Sequence, residues 1–237
     1  MGIYEFAGCV VSCEPLYGLL RQRMEAYRSD QERQPDIVLG GTVQDYEKLQ
    51  EQYPNLTLGA CEYSFAGTEF YTKLLKRGGF MIHASAVEKD GKAYLFSAPS
   101  GTGKSTHAEL WKKAFGESSI RILNDDKPAV CIRDGTFYAY GTPFSGKTDK
   151  NVNCKAPIQG LCMLHRGNEN KIWRITPKEA LPLLLPQTLL TVDEEETSLL
   201  ISFLDLFLQS VPVYKMECIV SEEAAEMAYF CMKGEKE

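Results

Sequence analysis

The 237-residue chain has no excess of positive charge: 26 Lys and Arg stand against 32 Asp and Glu, a formal net charge of −6. Adsorption to nucleic acid or anionic lipid needs a basic face, so neither partner is expected. A membrane span is lacking too. The most apolar stretch, residues 199–208, is too short for a bilayer and is broken by Ser202 and Asp205. Residues 1–8 show no basic segment leading into an apolar run, and Phe6 stands where a myristoylation signal wants Ser or Thr. A cytoplasmic protein is the expectation. The eight cysteines include no Cys-x-x-Cys pair, which argues against a zinc site or disulfide framework and for reduced, mostly buried thiols. There is no linker rich in Pro, Gly or Ser and no internal repeat. What is present is ordinary for a domain with a sizeable core: 44% hydrophobic and 24% charged residues. Nothing in this composition excludes a homo-oligomer.

Periodicity predicts an α/β protein. Residues 4–12 read as a strand, and Pro15 introduces a helical pattern through Leu16, Leu19, Leu20 and Met24. A short strand at 36–39 precedes helices at 43–52 and 68–76, the second stopping at Gly78-Gly79. This predicts a small N-terminal α/β lobe, 1–78, before a main domain, 79–237. Within the main domain, β-rich runs at 80–88 and 93–97 flank Asp90-Gly91, a strong hairpin signal. Pairing about that turn sets His83 opposite Ala98. A second hairpin, 129–132 with 136–140, surrounds Asp134-Gly135, and strands are predicted at 156–164, 171–175 and 214–220. Thr176-Pro177-Lys178-Glu179 has the cap, first-turn Pro and third-position Glu of a helix start, while Pro182 and Pro186 shorten or kink that helix. Residues 194–209 form an amphipathic helix with an acidic first turn, and Ser221 caps a last one. A mixed sheet flanked by helices accommodates all of these.

The sharpest chemical signal is Ala98-Pro99-Ser100-Gly101-Thr102-Gly103-Lys104-Ser105-Thr106, between a strand and a helix that runs through Glu109, Trp111 and Phe115. That is the context of a phosphate loop. Gly101 and Gly103 allow backbone N–H groups to converge on phosphate oxygens, and the helix N-terminus favours an anion. Lys104 would face the β- and γ-phosphates, and Ser105 would ligate Mg²⁺. The first Gly of the usual motif is Ala98 here. A glycine-rich turn is the bland alternative, and the strand–loop–helix order favours phosphate.

Asn124-Asp125-Asp126 follows the strand-like residues 120–123. Taken alone it reads as a polar turn closed by Pro128. One strand after a phosphate loop, such carboxylates hold Mg²⁺ or take a proton from an attacking hydroxyl. Of the three histidines, His83 falls near the loop by the hairpin pairing, while His107 and His165 read as structural or solvated. Gly141-Thr142-Pro143-Phe144-Ser145-Gly146-Lys147 is a turn-rich segment, and Lys147, Lys150 and Lys155 make the stretch basic; Thr142 to Lys155 is expected at the mouth of the site, mobile without ligand.

His83-Ala84-Ser85-Ala86, the hairpin, the glycine-rich loop and Asn124-Asp125-Asp126 together resemble HPr kinase/phosphorylase and ATP-dependent phosphoenolpyruvate carboxykinase. Gly141 to Lys147 resembles a segment of smaller HPr-kinase-related kinases. The resemblance covers about residues 80–174. It implies a mixed-sheet P-loop nucleotide-binding domain of the HPr kinase/carboxykinase type. It also implies an ATP- and Mg²⁺-dependent transfer of phosphate to a hydroxyl, such as a serine in a peptide, protein or small molecule. Pro99 to Thr106 would hold the nucleotide, Asp125 would accept the hydroxyl proton, and Asp126 with Ser105 would hold Mg²⁺. His83 would touch metal or phosphate, and Lys104 and Lys147 the transferring group. Gln159-Gly160-Leu161-Cys162 stands where HPr kinases carry Arg-Gly-Leu-Gly, which argues against HPr itself as acceptor. A nucleotide-binding regulator with weak or no transfer is the alternative.

Overall fold

In the computed structural model, which describes residues 1–234, the chain opens on a tight hairpin rather than one strand. Strands β1 (Gly2–Phe6) and β2 (Cys9–Cys13) are joined at Ala7 and Gly8, both with positive φ (52° and 73°). That conformation is the one a two-residue hairpin loop needs, and Ala-Gly gives weaker warning of it than Asn-Gly or Asp-Gly. Helix α1 (Gly18–Met24) follows, and β3 (Ile37–Val38) pairs parallel with β2. Helix α2 (Val43–Gln52) begins as expected, with a full capping box between Thr42 and Asp45. Helix α3 (Leu58–Leu75) starts well before the expected residue 68, capped by Thr57, whose side chain accepts from the Ala60 N–H. Glu62 on that earlier part is buried and accepts from the backbone N–H groups of Leu16 and Tyr17 at 2.6 and 3.0 Å, tying α3 to the entrance of α1. Buried carboxylates need such partners.

The main sheet has nine strands. In chain order its elements are β4 (Gly79–Met81), β5 (Ala84–Lys89), β6 (Lys92–Ser97), α4 (Lys104–Phe115), β7 (Arg121–Asn124), β8 (Ala129–Arg133), β9 (Thr136–Tyr140), β10 (Lys155–Arg166), β11 (Lys171–Ile175), α5 (Pro177–Leu184), α6 (Glu194–Ser210), β12 (Val213–Cys218) and α7 (Glu222–Lys233). The spatial order is β4-β8-β9-β10-β6-β5-β7, with β12 beside β10 and β11 beyond β12. Strand β10 is the branch point: residues 155–157 run antiparallel to β9, whereas residues 161–166 run parallel to β12. Its other edge lies parallel to β6. The expected mixed α/β architecture is present.

Strand alternation divides the sheet's two faces. Ala93 and Leu95 join Leu200, Leu204 and Phe207 of α6 on one side; Tyr94 and Phe96 join Trp111 of α4 and Ala228 of α7 on the other. A further core cluster, with Phe6, Tyr27 and Phe70, also takes in Cys131, Tyr140 and Phe144 of the main sheet and its loops. The expected strand 80–88 is interrupted at Ile82-His83, where the chain leaves β8 and joins β6. Ala84 pairs with Ser97 at the end of the β5–β6 ladder, which sets His83 against Ala98 as the turn pairing predicts.

His107 is structural. It is buried beside the Phe96 ring (4.4 Å between centroids), and its Nε2 accepts from the Trp111 indole N–H at 3.3 Å. Burial pushes its pKa down from 6.5 to about 4. The unfolded chain therefore takes up the proton first, and stability present above pH 6.5 is lost as pH falls toward 4. Denaturant titrations should show wild type losing about 3 kcal/mol more than His107→Gln between pH 7 and pH 4. A parallel pH response in the two proteins would contradict a buried neutral imidazole.

Candidate functional site

Strand β6 delivers the chain into a loop, 98–103, that turns directly into α4. Gly101 and Gly103 have φ of 80° and 119°, and a Cβ at either would meet nothing within 4 Å, so backbone conformation and not space selects glycine. The first bond of the helix runs from His107 N–H to the Gly103 carbonyl at 2.8 Å. The N–H groups of residues 104–106 thus precede the ladder and project from the helix N-terminus. Lys104 is buried and its Nζ donates to the carbonyls of Ala98 at 2.8 Å and Pro99 at 3.5 Å. Burial lowers its pKa, opposed by the negative charge of Asp126. On the loop's other flank, Arg166 at the end of β10 donates to the carbonyls of Gly101 (2.6 Å) and Thr102 (3.3 Å).

At the end of β7, Asn124 is fully buried and makes a turn and a brace at once. Its Oδ1 accepts from the N–H groups of Asp126 and Lys127, and its Nδ2 donates to the Thr142 and Phe144 carbonyls at 3.2 Å. Asp125 is directed at the loop after β9: Oδ1 accepts from Gly146 N–H at 2.8 Å, and Oδ2 accepts from the Thr148 hydroxyl. A Cβ on Gly146 would lie 3.1 Å from Asp125 Oδ1, so glycine permits this approach. The Asp125 carbonyl accepts from Ser85 Oγ at 3.0 Å and faces Ser105 Oγ at 3.5 Å.

Asp126 lies between the His83 imidazole and the Lys127 ammonium. Its Oδ1 is 3.1 Å from His83 Nε2 and its Oδ2 accepts from Lys127 Nζ at 2.7 Å. Burial alone would raise its pKa, but the hydrogen bond from His83 and the Lys127 charge hold it well below the usual carboxylate range. His83 Nδ1 faces Gln187 Oε1 at 3.2 Å, and its backbone N–H donates to the Gln187 carbonyl. The two readings of Asn124-Asp125-Asp126 are therefore compatible: a turn made by Asn124 presents two carboxylates.

These groups share one cavity of about 550 Å³, lined by Ser100 and Ser105, Asp125, Asp126 and Lys127, and Ser145 to Thr148. A second cavity, about 400 Å³, lies across the loop between Thr102, Gly103 and α4 on one side and Leu164 to Gly167 and Cys218 to Val220 on the other.

The family model described as "SynChlorMet cassette protein ScmC" matches residues 61–188, more than half of the chain. The chain belongs to the ScmC family. No curated protein matches it. Among solved structures it is similar to the Hpr(Ser) kinase/phosphatase from Coxiella burnetii, at 12% identity and a TM-score of 0.34, over 65% of this chain and 99% of that one.

The ScmC match includes the 98–103 loop, Asp125, Asp126 and the loop carrying Lys147. Of the expected site residues, Ser100, Ser105, Asp125, Asp126 and Lys147 line the larger cavity, and Thr102, Gly103 and Thr106 the one across the loop. His83 reaches the larger cavity through Asp126, while Lys147 is exposed and makes no ion pair among the described residues. The basic segment is split: Lys150 pairs with Glu109 at 2.8 Å, whereas Lys155 lies over the Tyr138 and Tyr140 rings. Periodicity gave no sign of Arg23 and Tyr63. Arg23 of α1 donates to Ser145 Oγ at 2.7 Å and to the Gly146 carbonyl at 3.2 Å, and pairs with Asp149. Tyr63 of α3 donates to the Ser145 carbonyl at 2.8 Å. In this ScmC chain the segment expected to be mobile is thus gripped by α1 and α3. Among the described residues no helix is long and apolar enough to cross a membrane.

Proposed function

We propose that this ScmC-family chain is an ATP- and Mg²⁺-dependent kinase that transfers the γ-phosphate to a hydroxyl, with serine as the favoured acceptor group. One observation carries the reading: two carboxylates, the loop serines and the exposed Lys147 face a single cavity at the N-terminus of α4. The N–H groups of residues 104–106 would take phosphate oxygens, and Lys104 would exchange its two carbonyl partners for them. The apolar side chains of Leu110, Leu164, Ile219 and Val220 make the cavity across the loop suitable for a nucleobase.

Mg²⁺ prefers hard oxygen ligands and is commonly held by one or two carboxylates together with substrate phosphates. Ser105 and Asp126 fit that donor set, since both face the cavity and Asp126 is held ionised. Among the described residues no cluster of three or more His, Cys, Asp or Glu forms a metal cage, and a phosphate-shared ion needs none. When bound, the ion would offset charge on the transferring group. Asp125 would receive the acceptor's proton, and the Thr148 hydroxyl on its Oδ2 marks the place an acceptor hydroxyl must take.

That same contact favours a second reading, a nucleotide-binding regulator, because both oxygens of Asp125 already hold partners. Phosphate transfer from γ-labelled ATP to serine-containing peptides tests the choice, with Lys147→Ala as the sensitive variant. A charge acting mainly on the transition state lowers turnover more than affinity. Lys147→Ala should leave Mg·ATP binding within a few-fold and slow transfer about tenfold or more. An unchanged single-turnover rate would make Lys147 a solvated surface residue.

A further inference from the structure

Beside the 550 Å³ cavity lies a smaller one of about 180 Å³, and the two share the side chains of Tyr63 and Lys127 as a common wall. Apart from exposed Ser64 and Thr68 at its edge, its remaining lining is largely apolar: Gly67 and Tyr71 of α3, Met81, Phe144 and Leu189. The known polar groups there are engaged elsewhere. Tyr71 hydroxyl bonds to Thr142 Oγ1 and to the Lys127 carbonyl, and Tyr63 hydroxyl donates to carbonyls of Pro143 and Ser145. Gly67 keeps the wall thin, since a Cβ there would stand 3.1 Å from the Phe144 ring. Leu190 and Val192, which follow Leu189 in the chain, are exposed, and Leu19 is exposed on the wall of the larger cavity.

We infer that the smaller cavity is an acceptor subsite, taking an aromatic or branched aliphatic side chain of a peptide whose adjacent Ser or Thr presents its hydroxyl to Asp125. The inference rests on the transfer reading for the place of that hydroxyl. Size fits the occupant: an engineered apolar cavity of about 150 Å³ binds benzene. Neighbouring residues of an extended peptide are about 3.3 Å apart, so one can occupy each side of the Tyr63–Lys127 wall. A nucleotide alone leaves this pocket empty, and exposed Leu19 on the larger cavity, with exposed Leu190 next in the chain to Leu189 of the smaller one, suits a chain lying across both rather than a compact polar acceptor.

Binding of short peptides to the full chain in the presence of Mg·ADP separates this inference from the reading beneath it. Unreactive peptides with Ala in place of Ser, flanked on either side by Phe, Leu, Ala or Asp, are compared by fluorescence anisotropy. Phe or Leu flanks should bind about ten- to hundredfold tighter than Ala. Ser64→Trp and Thr68→Trp, at exposed positions on the pocket's edge, should erase that preference while Mg·ATP affinity stays the same. Equal binding of all flanks, or a preference that survives both variants, overturns the subsite. A change in oligomeric state on Thr68→Trp overturns it too, by giving the pocket to a second copy of the chain. The preference seen without phosphate transfer to the matching Ser peptides upholds the subsite and removes only the kinase reading.

Discussion

Lys104→Ala should weaken Mg·ATP binding by about a hundredfold or more, since charge-assisted contacts contribute roughly 1.5–3 kcal/mol each. Calorimetric titration in Mg²⁺ measures it. The same substitution should leave folding stability near that of wild type, because it removes a buried ammonium whose hydrogen-bond partners among the described residues are the Ala98 and Pro99 carbonyls. The two results together separate a ligand role from a scaffold role. Equal affinity in variant and wild type would reduce the 98–103 loop to a glycine-rich turn.

Asp125→Asn should lower phosphate transfer about 10²- to 10⁴-fold, with nucleotide affinity within a few-fold. The amide keeps an oxygen for Gly146 N–H and offers its NH₂ to the Thr148 oxygen, so the loop geometry survives while the proton acceptor is lost. Asp126→Asn should instead raise the Mg²⁺ concentration needed for half-maximal rate, as it removes a carboxylate that lines the same cavity as Ser105 and is held ionised beside His83 and Lys127. Normal transfer by both variants would return Asn124-Asp125-Asp126 to the role of a turn.

What could be read from the sequence was local. Asp90-Gly91 fixes the β5–β6 register, because a two-residue loop leaves no freedom in the pairing that follows, and His83 therefore fell where the turn required. Thr176 to Glu179 announces its helix through a reciprocal cap. The 98–106 segment is recognisable since its glycines, lysine and helix start are contiguous. The brace around Asp125 is not contiguous. Arg23 meets Ser145 across 122 residues, Tyr63 meets it across 82, and Gln187 meets His83 across 104. No pattern in the chain marks such pairs before folding brings them together. The first half of α3 was lost for a different reason: residues 58–67 include two glycines and a buried Glu62, which dilute the apolar stripe that betrays a helix. Ala7-Gly8 was missed because alanine seldom adopts positive φ.

The grip of Arg23 and Tyr63 on residues 143–149 bears on how this machinery can be inherited. The half of the chain that carries the glycine-rich loop is not a portable module: moved alone into another protein, it would take Phe144 without the Phe6, Phe70 and Tyr71 rings around it, and Ser145 without its Arg23 partner. Grafting the loop and its carboxylates would transfer the parts but not their alignment. Shuffling between relatives should therefore give active chimeras only when helices α1 and α3 and the 141–151 segment come from the same parent.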